Sequence, residues 1–125
     1  MHTAQLETYR NMQKATLSGR DLEAEVLSKA AYKLQYCQNN WDDPEREGML
    51  DEALKYNQKI WTVFQSELAK DENPLPQKLK EDLLSLSAFI DKRIFEIMSF
   101  PSSEKLNAII NINLNIAAGL KGSPA

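Results

Sequence analysis

Helix-breaking residues are scarce in this chain. Only four glycines and five prolines occur among its 125 residues, and, Gly48 apart, they fall at the ends of or between segments of helical period. SGRD (18–21) reads as a helix start, with Ser18 as cap and Asp21 at the capping-box position three residues on. The segment that follows is expected to run to about Asn39 or Asn40. DDP (42–44) is a second start, with Asp43 as cap, Pro44 as the first helical residue and Glu45 favoured at the positive end of the helix. This helix should reach about Lys70. NPLP (73–76) breaks it and opens another at Pro76, ending near Met98. PSS (101–103) opens the last, which Gly119 and Gly122 can stop. A short helix is expected over residues 4–16. The expected fold is all-α: a small bundle of four main helices plus a short N-terminal one. It forms a single domain over residues 1–125, with 1–3 and 121–125 loose.

The stretch from Ile110 to Ile116, ININLNI, tests this reading, because strict alternation is the signal of a half-buried strand. A lone strand among helical segments would have no partner. At about 100° per residue, Leu106, Ile109, Ile110, Ile112, Leu114, Ile116, Ala117 and Leu120 share one broad arc. Asn107, Asn111 and Asn115 lie opposite, so an amphipathic helix accounts for the segment. One residue disobeys: Asn113 falls inside the apolar arc, between Leu120 and Leu106. The segment 44–70 repeats the anomaly. Leu50, Ala53, Leu54, Ile60, Trp61, Phe64 and Leu68 share a face with Asn57 at its centre. An unpartnered buried amide costs about 1–3 kcal/mol, so two on two helices point to a shared polar contact. It is either a ligand or metal site, or an interhelical hydrogen bond or backbone cap that fixes register. No charged metal ligand accompanies them, which favours the structural role.

Catalysis finds little support. The sole cysteine, Cys37, lies in an arc with Val26, Ala30, Leu34 and Trp41, as a small core thiol would. No histidine is placed to activate it. The sole histidine, His2, cannot build a triad or a metal cluster alone. There is neither a glycine-rich phosphate loop nor a carboxylate pair in an apolar setting. Charged neighbours such as Lys80 and Glu81, or Asp91 and Arg93, read as a solvated face. A non-enzyme without metal or cofactor is expected. With 15 Lys+Arg against 18 Asp+Glu, the formal charge is −3, which argues against direct nucleic-acid binding. A single cysteine precludes an internal disulfide and fits a reducing compartment. No apolar run approaches the about 18 residues of a membrane span, and no apolar signal core is visible. A cytoplasmic location is therefore expected.

One segment has more apolar surface than a single core contact requires. Over 76–98, Leu79, Leu83, Leu86, Ile90, Ile94 and Ile97 form the main stripe. Leu84, Ala88 and Phe95 form a second stripe about 100–150° around the axis. This is either a central helix covered on two sides or a groove wall that receives a partner. Leu6, Tyr9 and Met12 of the weakly apolar first segment are candidates for a displaceable lid over the second stripe.

The run LDEALKYNQKIWTVFQSELAKDENPLPQKLKEDLLSLSAFIDKRIFEIM, followed by ININLNIAAGL, resembles the alphaproteobacterial flagellar biosynthesis regulator FlaF family. The resemblance rests on Asn57, Ile60 and Trp61; on Leu75, Pro76 and Leu79; on the Ser85–Leu86 step; and on Asn113, Gly119 and Leu120. The upstream YRNMQKATLSGRDLEAEVL is similar to the family's start. The resemblance implies a small helical protein that binds flagellin as an export chaperone or escort, needed for flagellin synthesis and secretion and linked to the regulator FlbT. Flagellin's terminal segments become amphipathic helices only in the filament, and a helical protein with spare apolar surface could hold one. The alternative is a post-transcriptional regulator of flagellin mRNA translation, acting directly or through FlbT. The acidic balance favours the chaperone.

Overall fold

The computed structural model describes residues 19–122. It contains four α-helices: α1 (Gly19–Asn39), α2 (Arg46–Leu68), α3 (Gln77–Ser99) and α4 (Leu106–Leu120), with a 3₁₀ turn at Ser103–Lys105 before α4. No strand occurs among the described residues, and ININLNI is helical throughout. The expected helix over 4–16, the Ser18 cap and the residues of the proposed lid lie outside the described residues.

Helix α1 buries Ala24, Leu27, Ala30, Ala31, Leu34 and Cys37. The alanines lack bulk, and α1 packs most extensively on α4 and next on α2. From α4, Leu106, Ile109, Ile110 and Ala117 complete that interface. The arc drawn from the sequence is therefore the buried one, with Ile112, Leu114, Ile116 and Leu120 half-buried at its margins. Each fully buried leucine or isoleucine stabilises the fold by roughly 1.5–3 kcal/mol.

Helix α3 is not the centre of the bundle. It packs chiefly on α2 and touches α4 only lightly. Ser87, Ile90, Ile94 and Ile97 are buried, with Leu83 and Leu86 half-buried. Leu79, expected in the main stripe, is 43% exposed. Burial on α3 fades toward its first turns. The reading of a central helix covered on two sides is thereby corrected.

Loop chemistry moves two helix ends. Pro44 does not open α2. Asp43 instead builds a turn: its Oδ1 accepts from the Glu45 N–H at 2.8 Å, and its carbonyl accepts from the Arg46 N–H at 2.9 Å. This Asx-type turn delays the helix by two residues. Helix α2 ends at Leu68 rather than Lys70. Beyond it, Asn73 donates from Nδ2 to the Glu67 carbonyl at 3.1 Å and accepts from the Leu75 N–H at 3.0 Å. That double contact ties the NPLP loop back to α2. Of the two candidate stops for α4, Gly119 is helical, whereas Gly122 has φ 71 and follows the C-cap. There an L side chain would be strained.

The asparagine core and candidate partner surfaces

Asn57 and Asn113 are both fully buried and touch each other. Asn113 Nδ2 donates to Asn57 Oδ1 at 2.6 Å. Asn57 Nδ2 donates to the Ala30 carbonyl of α1 at 3.2 Å and to the Ala53 carbonyl one turn back at 2.9 Å. Trp61 Nε1, one turn on from Asn57, donates to Asn113 Oδ1 at 3.0 Å. Three side chains thus join three helices, and among the described residues no buried side-chain polar atom lacks a partner. The amide atoms are consumed internally, so the pair serves register rather than a ligand. Phe64 stacks edge-on against Trp61, with ring centroids 5.7 Å apart at 86°. Trp61 is buried and Phe64 packs half-buried against it.

A second polar tie went unread in the sequence. Ser87 is buried on α3, and Gln65 Nε2 of α2 donates to its hydroxyl and, at 3.0 Å, to Asp91 Oδ2. The helical-arc test that exposes Asn57 and Asn113 also places Ser87 beside Ile90 and Ile94, so the signal was present. Gln38 is a third tie, donating to the Ser103 carbonyl at 2.9 Å and to Asn107 Oδ1 at 2.7 Å. Cys37 is buried, and burial pushes its thiol up, away from the thiolate that a nucleophile needs. Trp41, from the same arc, is half-buried and carries the Arg46 guanidinium 4.2 Å above its ring.

The candidate partner stripe is open. Phe95 is 71% exposed, Leu84 is 37% exposed and Ala88 is exposed. No described helix covers this row. Phe89, Met98 and Phe100 add further exposed apolar surface on and just beyond α3. The other half of the candidate site, Leu6, Tyr9 and Met12, lies outside the described residues.

A cleft that the sequence does not reveal opens at one end of the bundle. It holds about 120 Å³ between Leu27 of α1, Phe64 and Leu68 of α2, Leu83 of α3, and Ile116 and Leu120 of α4. Leu75 reaches it from the NPLP loop, and Glu23 and Glu67 bring carboxylates to it, which corrects the expectation that no carboxylate pair stands in an apolar setting: the two lie on different helices, and their separation in sequence hides the pairing. Several residues of the family-like pattern meet here or next to it. Leu75, Leu120 and Trp61 line the cleft. Pro76 is the N-cap residue of α3, and its carbonyl accepts from the Lys80 N–H at 3.0 Å. A Cβ at Gly119 would meet nothing within 4 Å, so no packing reason for glycine is visible there. Leu86 is half-buried on α3.

Among the described residues there is no group of acidic, histidine or cysteine side chains suited to a metal ion, and no helix is long and apolar enough to cross a membrane. Comparison with the curated proteins and with the solved structures finds no match. Comparison with family models finds one described as flagellar protein FlaF, over residues 5–120. That match takes in all four helices, the asparagine core and the cleft, and so the chain belongs to the FlaF family of flagellar proteins.

Proposed function

We propose that this protein binds flagellin and acts as its export chaperone or escort, within the role in flagellum biogenesis that family membership implies. The observation that supports this reading most is the uncovered apolar row of α3. A phenylalanine 71% exposed on a helix that is otherwise well anchored is surface available to an amphipathic segment. A flagellin terminal segment, unpaired before assembly, has the complementary character. FlbT is a further candidate partner, and the proposed setting is the cytoplasm. The proposed role is that of a binding module rather than an enzyme.

The deciding experiment is capture of flagellin from a flagellate lysate by the purified protein, with and without nuclease. Nuclease-resistant capture of flagellin supports the chaperone. Capture that depends on intact RNA would move the reading to control of flagellin mRNA translation, directly or through FlbT. The formal charge of −3 offers little counterion release to RNA.

A further inference from the structure

The cleft at the end of the bundle has a chemistry of its own. Its walls are large apolar side chains, among them Leu27, Phe64, Leu75, Ile116 and Leu120. Its volume of about 120 Å³ is close to that of the engineered apolar cavities of roughly 150 Å³ that take up benzene. It is therefore sized for one large side chain and not for a whole helix. Both charged residues in its lining are carboxylates, Glu23 and Glu67.

These two carboxylates are not equivalent. Glu67 has a cation beside it, with Lys70 Nζ at 3.0 Å in an exposed pair. None of the ion pairs among the described residues involves Glu23. Partial burial first, and then repulsion from Glu67, raise the Glu23 carboxyl above its ordinary value, while Arg20 opposes them. A cation brought to this place would offset both unfavourable effects at once. An apolar socket edged by a carboxylate that has no ion-pair partner among the described residues selects a segment that carries an aliphatic side chain next to a lysine or arginine. An acidic segment would be repelled.

We infer that the cleft seats one large aliphatic side chain of a flagellin segment, with a lysine or arginine of the same segment held against Glu23 and Glu67. This rests on the flagellin-binding reading and adds a second contact, with a stated chemistry, to the α3 row. On a helical segment the anchor and the cation would stand three or four residues apart, the spacing that puts two side chains on one face.

The test uses the full-length chain and two probes. The first is purified flagellin monomer. The double variant Glu23→Gln, Glu67→Gln should weaken its binding roughly tenfold at low salt. Leu75→Trp, which fills the cleft from a loop, should weaken it at least as much while circular dichroism stays unchanged. Binding equal to wild type in both variants would overturn the cleft and leave the flagellin reading standing. The second probe involves no flagellin: two synthetic amphipathic peptides of identical apolar sequence, one with lysines on its polar face and one with glutamates. Preference for the lysine peptide that disappears in the double variant supports the cleft, even if flagellin itself fails to bind. Absence of a preference overturns it, even if flagellin binds.

Discussion

At the scale of single residues, the buried amides make the sharpest predictions. Asn113→Ala removes one acceptor and one donor from a closed network. It leaves the Trp61 indole N–H and Asn57 Oδ1 without partners. The expected cost is about 1–3 kcal/mol, read as a lower urea midpoint at unchanged slope. Trp61→Ala removes the largest fully buried side chain and should cost roughly 3–5 kcal/mol, enough to threaten a domain of this size. An unchanged melting point in that variant would contradict the packing described above. Glu23 behaves oppositely. Its folded-state pKa lies above the ordinary 4.5, so its contribution to stability is fully present below 4.5 and is lost as pH rises through the folded value. Glu23→Gln should therefore raise the melting temperature at pH 7, and the gain should shrink as the pH falls toward 4.5. A gain independent of pH would show that ionisation of Glu23 is not its origin. Cys37 should resist iodoacetamide in the native protein and react on unfolding, as its burial requires.

Among the elements, α3 is the informative one. Its inner face is fastened to α2 by Ile90, Ile94 and Ile97 and by the Gln65–Ser87 and Gln65–Asp91 hydrogen bonds. Its outer face carries Phe95 in the open. Phe95→Asp should leave the chain folded with little change in helicity and melting temperature, because Phe95 is 71% exposed and little burial is lost there. If flagellin binding falls in that variant, the row is part of the partner surface. Unfolding would show instead that Phe95 is covered in solution. The four helices and the two disobedient asparagines were legible in the sequence because each follows from local spacing. The peripheral position of α3 was not. Two apolar stripes on one helix look the same whether the second is covered or open, and only the placement of neighbouring helices decides. The cleft was illegible for the same reason: its walls come from four helices and a loop whose separations in sequence carry no signal. The start of α2 was misread because an aspartate before a proline can cap a helix or close an Asx turn, and here the turn forms.

For the whole molecule, charge predicts what the protein leaves alone. A formal charge of −3 should give no tight RNA binding at physiological salt, since little counterion is released. Submicromolar, salt-sensitive binding to flagellin mRNA would reverse the proposed function.

The amide network also governs how the molecule comes apart. Asn57 and Asn113 are 56 positions apart in the chain, and their bond closes a loop that contains all of α3. Helix α4 cannot lift away alone without stranding Asn57 Oδ1 and the Trp61 indole in an apolar interior, so its detachment is expected to coincide with loss of the α1–α2 packing. Local opening of that kind is suppressed, and the three helices should behave as one cooperative unit. In native-state hydrogen exchange, the backbone amides of Ile109, Ile110 and Asn113 should open with the same free energy as those of Leu34 and Trp61, equal to that of global unfolding. The first turns of α3 lie outside this unit and should exchange sooner.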